Sequence, residues 1–112
     1  YDLFFIFTSP NQILIKMNLE KIIVNNEGTI IDVRTQGEFM GGNVMDSINV
    51  PLNEIPNRLS EISLLKTPLI LCCASGNRSG QAAQYLNAQN IESINGGSWM
   101  TVNYYKSLQI EL

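Results

Sequence analysis

The sequence predicts an α/β fold with a mainly parallel sheet covered by helices on both faces. Two observations carry this. Short runs of β-branched and apolar residues alternate with segments of helical period along the chain. The central runs, the β-branched Thr29-Ile30-Ile31-Asp32-Val33 and the apolar Pro68-Leu69-Ile70-Leu71-Cys72, hold consecutive apolar residues rather than a strict alternation, as in strands buried on both faces.

The elements follow in order. Residues 1–16 form an N-terminal extension or carry a first strand, Ile13-Leu14-Ile15. Tyr1 to Phe7 is strongly apolar and meets a breaker cluster at Thr8-Ser9-Pro10-Asn11. It lacks the basic start and small-residue cleavage site of a secretory signal, and Met17 reads as the natural start of the domain, residues 17–112. Asn18 is a candidate N-cap for a helix from Leu19 to Asn25, with Leu19, Ile22 and Ile23 on one face. Asn26-Glu27-Gly28 turns into the strand Thr29–Val33. Gln36–Met40 reads as one helical turn ended by Gly41-Gly42-Asn43. Ser47–Val50 is a second strand, stopped by Pro51. Leu52, Ile55, Leu59, Ile62 and Leu65 have helical spacing, which Pro56 breaks into two pieces. A strand ending at the cysteines leads to a helix over Ser79–Ala88. A last short strand, Glu92-Ser93-Ile94, turns at Asn95-Gly96-Gly97, and Ser98 caps a helix through Trp99, Val102 and Tyr105.

Composition narrows the function classes. At 112 residues the chain makes one domain with a real core, and its net charge of -3 gives no basic footprint for nucleic acid. There is no histidine, which excludes His-based triads and imidazole metal sites. The two cysteines are neighbours, so they give neither a disulfide framework nor a zinc site. No apolar stretch is long enough to span a membrane, and we expect neither metal nor cofactor. A cytoplasmic location is expected, or a periplasmic one if residues 1–16 belong to a secretory signal.

The chemistry concentrates at Cys73-Ala74-Ser75-Gly76-Asn77-Arg78-Ser79, between a strand end and a helix start. Backbone N–H groups of such a loop turn inward, and the helix adds its positive end, making an anion cradle. A cysteine at its base, near arginine, is activated as a thiolate. Strand alternation lets only one of Cys72 and Cys73 face the cradle, and the positions of Gly76 and Arg78 select Cys73. Counted from Cys72, the spacing to Arg78 is that of cysteine phosphatases, but Ser75 then stands where their loop commonly has glycine.

The loop resembles the Cys-x-x-Gly-x-Arg-Ser/Thr loop of the rhodanese family. Three more stretches carry the same resemblance, in the same order. Ile31-Asp32-Val33-Arg34-Thr35-Gln36-Gly37-Glu38-Phe39 is similar to the family's Asp-Val-Arg-x-x-x-Glu-Phe. Gly42-Asn43-Val44 with Ser47-Ile48-Asn49-Val50-Pro51 is similar to Gly-His-Ile and Ala-x-Asn-Ile-Pro, with Asn43 in the histidine's place and Asp46 at a usual glycine. Gly96-Gly97 before Trp99 is similar to its C-terminal pattern.

The resemblance implies a rhodanese-like sheet of four to five strands and a sulfurtransferase that works through a Cys73 persulfide. Backbone N–H groups of Ala74, Ser75, Gly76, Asn77, Arg78 and Ser79 would hold the terminal sulfur. Arg78 would hold the thiolate or attract an anionic donor, and Ser79 would close the loop or cap the helix. Asp32, Arg34 and Glu38 read as structural support, with Arg34 and Glu38 paired across a helical turn. Trp99 reads as core. The implied partners are a small-molecule sulfur donor, such as thiosulfate, and a thiol, protein or cyanide acceptor. The rival reading is a persulfide carrier or docking module of the same fold, and a phosphatase or arsenate reductase is the third.

Overall fold

A computed structural model describes residues 18–108. The expected start at Met17 and the strand at Ile13–Ile15 lie outside the described residues. The elements run α1 (residues 18–24), β1 (Thr29–Asp32), α2 (Gln36–Met40), β2 (Ile48–Asn49), two 3-10 turns (Leu52–Glu54 and Pro56–Arg58), α3 (Leu59–Ile62), β3 (Leu69–Cys73), α4 (Asn77–Ala88), β4 (Ser93–Ser98) and α5 (Trp99–Ser107). Asn18 is itself helical rather than the residue before the helix. The broken helical segment around Pro56 is as expected, with Pro56 at the first position of its turn, where its missing N–H costs nothing.

The described strands form one parallel sheet of order β2-β1-β3-β4. Side-chain alternation along β1 and β3 sends apolar groups to both faces, and each face has its own core. Ile31, Leu69, Leu71 and Cys73 pack with Val33, Val50, Ile55 and Ile62 and with Ala82, Ala83 and Leu86 of α4. Ile30, Ile70 and Cys72 pack against Leu19 and Ile23 of α1, Val44 and Val102 of α5. All five residues of β3 are buried and the strand is paired on both sides, so it lies at the centre of the sheet.

The strand order fixes where a ligand site lies. From β1 the chain moves outward to β2, then returns across β1 to β3 on the other side. The switch point is the gap between the carboxyl ends of β1 and β3, where Asp32 is level with Cys72. Loops diverging there leave the crevice in which parallel sheets bind ligands.

β4 departs from the sequence reading. It does not end at Ile94 but continues through Asn95, Gly96 and Gly97 to Ser98. Asn95 stands opposite Leu71 while Gly97 stands opposite Cys72, so Gly96 is an extra residue in the ladder. Only glycine fits there. A Cβ would lie 2.9 Å from Ile70 Cγ2 and 3.1 Å from the Leu71 carbonyl oxygen. The local pattern looks like a turn because glycines are scarce in strands; close backbone approach overrides that preference here. Asp46, at a usual family glycine, keeps the left-handed backbone with φ 67, which aspartate tolerates better than most residues.

Glycine substitutions test this packing. At Gly28 an added Cβ would overlap the Pro68 carbonyl oxygen, whereas at Gly37 it meets nothing within 4 Å. Gly28→Ala should lower stability by about 1–3 kcal/mol in denaturant unfolding, as overpacking does. Gly37→Ala should leave it unchanged or raise it by up to about 1 kcal/mol, since alanine is the better helix former. Equal effects of the two changes would contradict the described approach of Gly28 to Pro68.

Candidate active site

The site begins with a helix that lacks an ordinary cap. Gly76 is the N-cap of α4, with φ 101 and ψ -8, and has no side chain to accept the helix's first N–H groups. Ser79 does not cap the helix as expected; it lies inside it, and Asn77 is its first residue. The Cys73 sulfur takes the part of the missing acceptor. It accepts from the Ser79 N–H at 3.4 Å and from the Gly76 N–H at 3.0 Å. A capping side chain normally receives the N–H of the second or third helical residue, and Ser79 is the third. The left-handed backbone at Gly76 lets the loop curl back over Cys73, at a conformation that strains any other residue.

The Ser79 hydroxyl lies 3.4 Å from the same sulfur and donates to Asn95 Oδ1 at 2.7 Å. With its proton committed to Asn95, the hydroxyl accepts from the neutral Cys73 thiol. When the thiol ionises, the hydroxyl can rotate and donate to the thiolate instead. Asn95 survives that exchange because its Oδ1 also accepts from the Gly97 N–H, at 3.0 Å, while its Nδ2 donates to the Gly76 carbonyl. Asn95 therefore ties β4 to the loop at Gly76, its middle, and at Ser79, its end. By its neighbours in the chain it reads as a turn residue, and no local pattern marks it, since its role depends on the extra residue in β4.

Electrostatics separate the two cysteines. Both are fully buried. Burial pushes the Cys73 thiol up, but the Ser79 hydroxyl and the backbone N–H groups of Ser79, Gly76 and Ser75 outweigh it, bringing the thiol down to about 7. Cys72 faces the other core, where burial and the negative charge of Asp32 push its thiol up to about 12 despite Arg34. Ala74 and Ser75 form the exposed bend of the loop, and Asn77 opens α4 on the solvent side.

The three supporting residues are brought to the site: Asp32 accepts the Arg34 N–H at the strand end, while Arg34 and Glu38 each pair elsewhere than with one another. Arg34 does not pair with Glu38. Its Nε lies 3.0 Å from both oxygens of Asp32, and its Nη2 lies 2.7 Å from Asp32 Oδ2 and 2.6 Å from the Gly42 carbonyl. The Asp32 carbonyl and the Arg34 carbonyl both accept from Asn49 Nδ2, which fixes the exit of β1. Arg34 also stacks on Trp99, 4.5 Å from the ring centroid, and Trp99 packs partly buried against the α1-side core. Gly42 lies beneath that ring; a Cβ there would sit 3.1 Å from Trp99 Cη2.

Glu38 pairs instead with Arg78, from Nη1 to Oε1 at 2.8 Å and from Nη2 to Oε2 at 3.1 Å. The helical spacing rule fails for Arg34 because it precedes Thr35, the N-cap of α2, and so stands at a bend before the helix rather than on its face. Among the described residues, no group of three or more acidic or cysteine side chains could hold a metal, and no helix is long and apolar enough to cross a membrane.

Comparison with known proteins agrees with this architecture. Residues 16–101 match the sequence profile of the rhodanese-like domain. The uncharacterized protein YqhL of Bacillus subtilis is 40% identical over 65 residues, covering 58% of this chain and 51% of that protein, so the chain spans about half of its length. The thiosulfate sulfurtransferase GlpE of Pseudomonas syringae is 32% identical over 85 residues, 71% of this chain and 79% of that one. A solved rhodanese-related protein from Thermoplasma volcanium superposes with a TM-score of 0.62 at 30% identity, over 77% of this chain and 85% of that one. With the greater part of its length matched, the chain belongs to the rhodanese-like domain family.

Proposed function

We propose that the protein is a sulfurtransferase that carries a sulfane sulfur on Cys73, taking it from a donor such as thiosulfate and passing it to a thiol or cyanide. One observation supports this above the others: a buried thiol held near 7 at a helix N-terminus, with donors converging on its sulfur. The Cys73 thiolate attacks the outer sulfur of thiosulfate. A new S–S bond forms, the donor's S–S bond breaks, and sulfite leaves with the electron pair. Cyanide or a thiolate then attacks the terminal sulfur and the Cys73 thiolate departs. Neither step needs an outside oxidant or reductant. The covalent intermediate divides one difficult transfer into two displacements. N–H groups of the loop from Ala74 to Ser79 stabilise the charge that passes onto sulfur.

The same geometry argues against phosphatase chemistry. That reaction needs an acid to protonate a leaving oxygen. Asp32 is buried and locked to Arg34, and Glu38 is held down to about 2 by the Arg78 guanidinium and the Thr35 N–H. Glu38 therefore stands ionised near neutral pH, with no proton to give a leaving oxygen.

Incubation with thiosulfate followed by intact-mass measurement tests the proposal. Wild type and Cys72→Ser should each gain one sulfur that cyanide removes, and Cys73→Ser should gain none. Cys72→Ser should also lose about 1–3 kcal/mol of stability, because it buries a hydroxyl in the α1-side core. Sulfur mapped to Cys72 would refute the assignment. A Cys73 persulfide that forms but is not passed on would assign the carrier role instead.

Arg78 gives a second test. Lysine keeps the charge and loses the fork. Arg78→Lys should retain most thiosulfate:cyanide transfer and Arg78→Ala should lose about two- to fivefold, the scale of a partly exposed charge. Wild type should hydrolyse an aryl phosphate negligibly. Ready phosphate turnover, destroyed in Arg78→Lys, would overturn the sulfurtransferase reading.

A further inference from the structure

Arg78, which the family resemblance implies would hold the thiolate or attract an anionic donor, is already occupied. Arg78 meets both carboxylate oxygens of Glu38, the side chains being 33% and 39% exposed. Glu38 is fixed independently of Arg78. Its Oε1 accepts from the Thr35 N–H at 3.0 Å and from the Thr35 hydroxyl at 3.1 Å, in the capping box of α2. The carboxylate therefore stands in place whether or not Arg78 is engaged. Behind it, Asp32 and Arg34 cancel one another in the same way. Of these four charged side chains around the loop, two pairs leave no free cation, and the Cys73 thiolate adds a negative charge.

Resting on the sulfurtransferase reading, we propose that Glu38 is a positioning residue that sets the charge preference of the site. By holding Arg78, it selects against small anionic donors such as thiosulfate and favours donors that are uncharged around the attacked sulfur. An anionic donor must draw Arg78 away from Glu38 before the guanidinium can help it; a neutral donor has no such competition. The pair crosses from α2 to α4, so the preference is set by a residue outside the loop.

Glu38→Gln tests this, because glutamine at the same position still accepts the Thr35 N–H and keeps the helix cap while removing the charge. Two alkylating probes of similar size read the charge preference without requiring sulfur transfer: iodoacetate, which is anionic, and iodoacetamide, which is neutral. Glu38→Gln should raise the iodoacetate-to-iodoacetamide rate ratio at Cys73 by about two- to fivefold at low salt, the range an exposed ion pair allows, with the gain shrinking as salt is added. It should lower KM for thiosulfate by a similar factor and change kcat by less than about twofold. In an Arg78→Ala background, Glu38→Gln should change the ratio by a clearly smaller factor. An unchanged ratio in Glu38→Gln, or the same gain with and without Arg78, would overturn the inference. A shifted ratio without any persulfide would uphold the charge preference and reject the sulfurtransferase reading; a persulfide with an unshifted ratio would do the reverse.

Discussion

The structure depends on one substitution of roles: a cysteine sulfur serves as the N-terminal acceptor of a helix. α4 starts at a glycine that cannot cap it, and the first-turn N–H group of Ser79 points at Cys73 instead. That arrangement requires β3 to hold Cys73 without play, and β3 is buried along its whole length between two cores. It requires Gly76 to reverse the chain within three residues, at φ 101. It also requires something to brace the loop from the side, which Asn95 does from a strand displaced by one extra glycine. Helix dipole, loop amides and sulfur then form one electrostatic unit, in which a thiolate completes the helix rather than perturbing it.

Neighbouring cysteines with opposite behaviour follow from the period of a strand. Cys72 and Cys73 point to opposite faces, and the faces differ in polarity rather than in burial. One thiol meets N–H donors and is brought down to about 7; the other meets apolar side chains and the Asp32 charge and is driven up to about 12. Around them the charges are arranged in two layers. The inner pair, Asp32 with Arg34, is buried, hydrogen-bonded to backbone and stacked on Trp99, which makes it a strut between β1 and the α5 side. The outer pair, Glu38 with Arg78, is half open to solvent and joins the two helices that flank the crevice. Removing one partner of the inner pair strands a buried charge, whereas the outer pair is weak enough to exchange.

Much of this was legible in the chain. The strands, the helix behind the loop, the parallel covered sheet and the placement of Cys73 rather than Cys72 against the loop follow from apolar runs, spacing and alternation, all of them local. What was not legible was long-range. Arg34 and Glu38 look like a helical pair by spacing, but Thr35 begins the helix between them, and each finds its partner elsewhere: Arg34 two residues back, Glu38 across to Arg78. The strand through Gly96-Gly97 looked like a turn because the reason for those glycines is the backbone of β3, distant in sequence. Asn95 had no signal of its own for the same reason.

The most direct test of the account is the pH dependence of Cys73 alkylation by iodoacetamide in the native protein. Burial and the helix cap act in opposite senses on the thiol, and the account holds that the cap wins. Because folding lowers this pKa, the thiolate's contribution to stability is full above the unfolded value of about 8.5 and fades as pH falls through about 7. The alkylation rate should follow the same ionisation, with a midpoint near 7, a single label and that label on Cys73. A midpoint at or above about 8.5, or label appearing first on Cys72, would mean that the sulfur does not cap the helix.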